Sequence, residues 1–179
     1  MGIFDWLFGK KEKTEIDWFG DRRKSHNKSV LNDNGLNEWY YEDGEIERRF
    51  YQKNGENHGE FTDYWENGNI GSEGNYKDGI KDGFWKEYYE NGQLKSEGNY
   101  RVDVCKKQDG LWKEYYENGQ LKSEGNYKFS TENTFSEPDG LWKKYYENGE
   151  LEWEGEYKDG KVMSYKSWDK NGNEIDCQE

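Results

Sequence analysis

Along most of this chain, side-chain character repeats with a period of two. Reading outward from Asn91-Gly92, one parity collects Tyr89, Trp85 and Gly83 on one arm and Leu94, Ser96, Gly98 and Tyr100 on the other. The opposite parity collects Lys86 and Tyr88 against Lys95 and Glu97. A period of two is that of a β-strand, whose side chains alternate between faces. Asn-Gly between two such runs is the strongest short-range cue for a two-residue type I′ turn. That turn pairs Tyr89 with Leu94, Glu87 with Ser96, Trp85 with Gly98 and Gly83 with Tyr100. It makes one aromatic side, with Gly98 leaving room for the Trp85 ring to lie across it. The other side is solvated, with Lys86 opposite Glu97 and Tyr88 opposite Lys95, each pair contributing a few tenths of a kcal/mol at about the level of exposed pairs.

The unit recurs. WKEYYENGQLKSEGNY occupies 85–100 and again 112–127. The opening glycines are Gly35, Gly59, Gly83, Gly110 and Gly140, with Ser164 at the sixth place, so the base step is 24 residues. Two longer steps add residues at one place only, in 101–109 and 128–139, which marks a surface loop. The same register sets Trp112 opposite Gly125, Lys113 opposite Glu124, Trp142 opposite Gly155 and Lys143 opposite Glu154. In the second unit Phe61 replaces the tryptophan opposite Gly74, and Trp65 meets Ile70. One hairpin cannot bury its aromatic side alone, whereas stacked hairpins cover one another. The predicted fold is therefore all-β: an elongated, open antiparallel meander of roughly twelve short strands. Residues 1–34 form an N-terminal segment, helical or irregular. Residues 35–163 hold five hairpin repeats. Residues 164–179 are read as a capping repeat, because Asp169 and Glu174 fall where Tyr and Leu stand elsewhere. The first unit departs as well, with Asn37 in the tryptophan position.

Composition supports strands over disorder. Hydrophobic residues are only 30% and charge is 36%, yet aromatics make 18% and recur at fixed intervals. The chain has no alanine, one proline and 22 glycines. A net charge of −13 disfavours nucleic acid and anionic membranes as general partners and suits a basic protein. Cys105 and Cys177, far apart, suggest reduced thiols and a cytoplasmic setting rather than a disulfide framework. The first residues, MGIFDWLFGKKEK, match neither a secretory signal nor a myristoylation motif.

Candidate chemistry is sparse. Glutamates such as Glu87, Glu97, Glu114 and Glu124 recur once per hairpin, which suits a scaffold better than a symmetry-breaking catalytic pair. His26 and His58 have no nucleophile partner in the sequence around them, and both read as turn residues. Asp169–Glu174 begins like a calcium loop but has Glu174 at the required glycine, so it reads as a turn. Neither a catalytic nor a metal site is assigned, and no cofactor is expected. Two features remain. Ile3, Phe4, Leu7 and Phe8 fall on one helical face flanked by Trp6, with Lys10, Lys11 and Lys13 following. This segment either docks on the first sheet edge or anchors the chain peripherally at a membrane through residues 1–13. The second feature is a tyrosine ladder, Tyr40, Tyr64, Tyr88, Tyr115 and Tyr145, on the lysine-bearing side. It either binds a partner or only shields strand backbones.

The pattern G-x-W-x-x-Y-Y-x-N-G-x-L-x-x-x-G-x-Y, linked by KDGIKD, resembles the variant MORN repeat over about residues 35–175. It is clearest at Gly83–Tyr100, Gly110–Tyr127 and Gly140–Tyr157, with Trp85, Gly98, Tyr100, Trp112, Gly125, Tyr127, Trp142, Gly155 and Tyr157 as the structural positions. This variant is common in bacterial YwqK-family antitoxins. The resemblance implies an open hairpin meander and a non-catalytic interaction scaffold, with toxin neutralisation as its specific form; the chain's acidity makes a basic toxin-like partner, occluded by the acidic, tyrosine-lined face, the matching mechanism. The competing expectation is a membrane-peripheral or self-assembling scaffold, with the oligomeric state open. Choline-binding cell-wall modules are a weaker resemblance, because they are exported and this chain lacks their cage pattern.

Overall fold

A computed structural model describes residues 27–28, 31–101, 107–129 and 136–175. Thirteen strands follow one another: β1 (Asn27–Lys28), β2 (Gly35–Tyr40), β3 (Ile46–Lys53), β4 (Glu56–Tyr64), β5 (Ile70–Lys77), β6 (Ile80–Tyr88), β7 (Leu94–Arg101), β8 (Lys107–Tyr115), β9 (Leu121–Phe129), β10 (Ser136–Tyr145), β11 (Leu151–Lys158), β12 (Lys161–Trp168) and β13 (Glu174–Ile175). They form one antiparallel sheet in strict sequence order, open at both ends. No helix occurs among the described residues. The expected helical or irregular segment with Ile3, Phe4, Trp6, Leu7 and Phe8 lies outside them, as do most of the lengthened loops, Cys105 and Cys177.

Two kinds of turn alternate, and the type I′ expectation was assigned to the wrong one. The type I′ geometry, with positive φ at both central residues, occurs at Asn54-Gly55, Asp78-Gly79 and Asp159-Gly160, in the linkers. At Asn91-Gly92 only the glycine has positive φ, +83°. Gly92 N–H donates to the Tyr89 carbonyl at 2.9 Å, and Tyr89 N–H to the Gln93 carbonyl at 2.9 Å. This is a three-residue loop: a type I turn followed by a left-handed glycine. Such a loop shifts pairing by one residue, so Tyr88 pairs with Leu94. Lys95 is then left as a bulge, and Glu87 pairs with Ser96 as expected, followed by Lys86–Glu97, Trp85–Gly98 and Gly83–Tyr100. The expected register thus holds beyond the bulge because loop and bulge compensate. Nearer the turn it does not. Leu94 shares a side with Tyr88 rather than Tyr89, and Lys95 lies 5.9 Å from the Tyr89 ring rather than opposite Tyr88.

A second irregularity sets hairpin on hairpin. Between β5 and β6, Glu73 pairs with Lys86 but Asn75 pairs with Asp82, so two extra residues of β6 lie opposite Gly74. The same pair of extra residues recurs between β7 and β8 and between β9 and β10. Gly83, Gly110 and Gly140 supply it with φ of +72°, +75° and +76°, which glycine adopts without the Cβ clash. The buckle re-aims the following tryptophan. Trp85 covers Gly74, Trp112 covers Gly98, and Trp142 covers Gly125, each on the preceding hairpin. The sequence reading laid Trp85 on Gly98 within its own hairpin, and the structure corrects this. Each ring meets the preceding tyrosine edge-on, with centroids 5.1 Å apart for Tyr76–Trp85, 5.4 Å for Tyr100–Trp112 and 4.9 Å for Tyr127–Trp142. Within a hairpin, Trp85–Tyr100 and Trp142–Tyr157 stand at 6.3 Å. The indoles of Trp85 and Trp142 donate to the carbonyls of Asn75 and Asn126 at 3.0 and 2.9 Å.

Both ends modify this scheme. Phe50 takes the glycine's place in the first hairpin and packs in a cluster with Phe61 and Trp85. Asn37, buried where a tryptophan would stand, bonds the Asn32 backbone instead. At the other end Lys166 occupies the tryptophan position, so Gly155 is covered by Trp153 of its own strand.

A double-mutant cycle checks which glycine each ring covers. A methyl on Gly98 would fall inside the van der Waals envelope of the Trp112 ring. Gly98→Ala should cost about 1–3 kcal/mol in the otherwise unchanged chain. In urea denaturation that cost should largely vanish in a Trp112→Ala background and persist in a Trp85→Ala background.

Candidate functional site

The stacking consumes one face of the sheet, the tryptophan face. The opposite face, which carries the tyrosine ladder, presents three parallel rows running across the strands.

The row nearest the Asn-Gly turns alternates tyrosine with an aliphatic residue. Cross-strand partners point to the same side, and here they are Tyr40–Ile46, Tyr64–Ile70, Tyr88–Leu94, Tyr115–Leu121 and Tyr145–Leu151. The structure therefore joins all five ladder tyrosines in one row and adds to it aliphatic residues that the sequence reading placed on the other side. Three ladder hydroxyls donate to a glutamate of the preceding hairpin: Tyr88 to Glu73 at 2.7 Å, Tyr115 to Glu97 at 2.9 Å and Tyr145 to Glu124 at 3.2 Å. Tyr40 donates to Glu38 on its own strand at 2.6 Å. That bond, joined by Arg49 at 2.8 Å, holds the Glu38 carboxyl below its ordinary range.

The middle row alternates charge: Glu38, Arg49, Thr62, Glu73, Lys86, Glu97, Lys113, Glu124, Lys143 and Glu154. Lys113 reaches Glu124 at 3.3 Å and Lys86 reaches Glu73 at 3.9 Å. At such exposure each pair contributes at most about 1 kcal/mol, so the row sets orientation more than stability.

The third row was missed. The residue after each opening glycine points to the tyrosine face and, where apolar, is left open: Leu36 is 42% exposed, and Phe84, Leu111 and Leu141 are each 48%. Tyr51, paired with Leu36, is also exposed. The signal was available, since this position takes Leu, Glu, Phe, Leu and Leu in successive units. It was hidden because the residue sits on the solvated parity beside a more conspicuous tryptophan.

At the turns, hairpins are tied forward. Tyr89 donates to the Tyr115 carbonyl at 2.8 Å, Tyr116 to the Tyr145 carbonyl at 2.8 Å and Tyr146 to the Trp168 carbonyl at 2.9 Å. Asn91 does double duty. Its Oδ1 accepts from Gln93 N–H at 2.9 Å, and its Nδ2 donates to the Glu117 carbonyl of the next turn at 3.0 Å.

The other candidates have partners of their own. Glu87 meets Lys81 at 3.4 Å, and Glu114 meets Lys122 at 3.5 Å. His58 Nδ1 lies 3.1 Å from Asp78 in the neighbouring turn. Asp169 accepts from Asn171 and Asn173 N–H, each at 2.9 Å, and so closes its own turn. No group of three His, Cys, Asp or Glu side chains is placed to hold a metal ion among the described residues.

Burial and the bond to Glu97 push the Tyr115 hydroxyl up to about 12. Burial and the Glu124 charge do the same to Tyr145. In the unfolded chain both ionise near their ordinary value of about 10. A folded-state pKa that is raised gives stability fully present below that value and lost as pH rises towards the folded one. Thermal stability should therefore fall between pH 10 and 12. Tyrosinate absorbance at 295 nm from these two residues should appear only at the top of that window. Tyr115→Phe should shrink the alkaline loss.

The sequence profile described as "MORN repeat variant" matches five segments, 33–55, 57–78, 81–101, 108–129 and 138–159. Each begins within three residues of an opening glycine, and together they cover more than half of the chain. No curated protein matches the chain. With five matched repeats built as five successive stacked hairpins, the chain belongs to the MORN repeat variant family.

Proposed function

We propose that the chain is a binding scaffold whose tyrosine face occludes a basic partner protein, as an antitoxin or immunity protein neutralises its target. The reading rests on one observation. A single face carries, side by side, a tyrosine–aliphatic row, an alternating charge row and an exposed apolar row, on a chain of net charge −13. Apolar and aromatic rows supply contact area, and acidic excess favours a cationic surface and speeds encounter. The ladder tyrosines are held by their glutamates before any partner arrives, so little side-chain entropy is lost on binding. A family built of MORN variant repeats suits a non-enzymatic binding role.

Selection from a displayed peptide library tests this. Ligands enriched on the purified protein should combine basic with apolar or aromatic residues and weaken as salt rises. Replacing Phe84, Leu111 and Leu141 together with serine should weaken them about tenfold or more, because central apolar anchors dominate such interfaces. Enriched ligands without basic character, or ones indifferent to the triple substitution, would overturn the reading.

A further inference from the structure

The apolar row has a gap. At the second repeat its position is taken by Glu60, between Leu36 with Tyr51 on one side and Phe84 on the other. The gap forms an open groove of about 350 Å³ on the tyrosine face. Glu60, Thr62, Glu73, Asn75, Phe84 and Lys86 line it. Its chemistry is specific: one exposed aromatic wall and two carboxylates. Glu73 accepts from the Tyr88 hydroxyl at 2.7 Å and meets Lys86 only at 3.9 Å, and Glu60 makes no ion pair among the described residues.

We propose that the occupant is the chain's own residues 1–13, docked in this groove as an internal competitor for the partner-binding face. Charge complementarity favours it. Residues 1–30 carry seven basic and five acidic side chains, a net of +2, which leaves −15 to the rest of the chain. Within residues 1–13 an apolar run, Ile3, Phe4, Trp6, Leu7 and Phe8, interrupted by Asp5, is followed after Gly9 by Lys10, Lys11 and Lys13, which outnumber Asp5 and Glu12. Apolar and basic side chains together suit a groove that offers the Phe84 ring beside the Glu60 and Glu73 carboxylates.

Reach permits it too. The segment joins the sheet at β1, which pairs with β2, the strand that carries Leu36. From β1 to Phe84 on β6 is five strand spacings, about 24 Å. Residues 14–26 can span up to roughly 45 Å when extended. An effective local concentration in the millimolar range then makes even weak contacts competitive with a free partner. The regulatory consequence rests on the binding reading above, but the docking itself does not.

A nitroxide attached at Thr14→Cys, in a full-length Cys105→Ser and Cys177→Ser background, tests the contact directly. In the ¹⁵N spectrum of the labelled chain, the amides of Thr62, Asn75 and Phe84 should lose most of their intensity, while those of Trp142 and Glu154 keep theirs. Glu60→Lys with Phe84→Ser, both surface changes, should restore the lost intensity. Adding a synthetic peptide of residues 1–13 should restore it as well. Absent or unselective broadening overturns the proposal, whether or not phosphatidylglycerol vesicles capture the segment. So does broadening that survives the double substitution. Broadening seen only between a spin-labelled and a ¹⁵N-labelled copy in a mixture also overturns it, since a second copy is then the occupant. Selective broadening with no basic ligand enriched from the library would sink the partner reading alone.

Discussion

A tryptophan ring lying on the glycine of the preceding hairpin is the contact on which this structure depends. A single-layer sheet has no second layer to bury its apolar side chains. Here the burial is made between neighbours in one layer. Trp85 leans over Gly74, Trp112 over Gly98 and Trp142 over Gly125. Each ring also meets the edge of a tyrosine on the hairpin it covers. Glycine is required on both sides of the contact, for two different reasons. Gly98 must lack a Cβ so that the ring can approach, and Gly110 must adopt a positive φ so that the strand can buckle and aim it.

The turns repeat the same logic with hydrogen bonds. Tyr89 and Asn91 reach forward to the next hairpin while the tryptophan reaches back. Every internal unit is thus clipped on both sides, and stability becomes a sum over neighbouring interfaces. Because the tryptophan face is spent on this, the tyrosine face is free to vary with little cost to the fold. Its middle row tolerates Thr62 where the following hairpins place Lys86, Lys113 and Lys143, and its apolar row tolerates Glu60. Variation of that kind on a regular scaffold is how a repeat protein acquires a specific surface.

Much of this was legible along the chain. The period of two gave strands, and the 24-residue step gave stacked hairpins. The opposition of Trp85 to Gly98 and Lys86 to Glu97 followed from turn position alone. The turn type did not follow, because Asn-Gly serves both a two-residue loop and a type I turn closed by a left-handed glycine. Choosing the former still gave the right register further along, since a bulge at Lys95 restores the residue that the longer loop displaces. Leu94 suffered the consequence and was placed on the wrong face. The exposed row of Phe84, Leu111 and Leu141 was overlooked because an apolar residue next to tryptophan invites assignment to the core.

Hairpins, their order and the residues that share a strand face away from the turns are written in the amino-acid sequence, because alternation and tight turns are local properties. The placing of Tyr115 on the charge-bearing side is legible there for the same reason. Packing between hairpins sets each tryptophan on the preceding hairpin, brings Tyr115 to its glutamate there too, and gathers Glu60, Glu73 and Phe84 around one groove. Those relations depend on how two extra residues at Gly83 and its counterparts tilt one hairpin against another. Such a tilt is a property of the interface between units, and no single unit's sequence contains it.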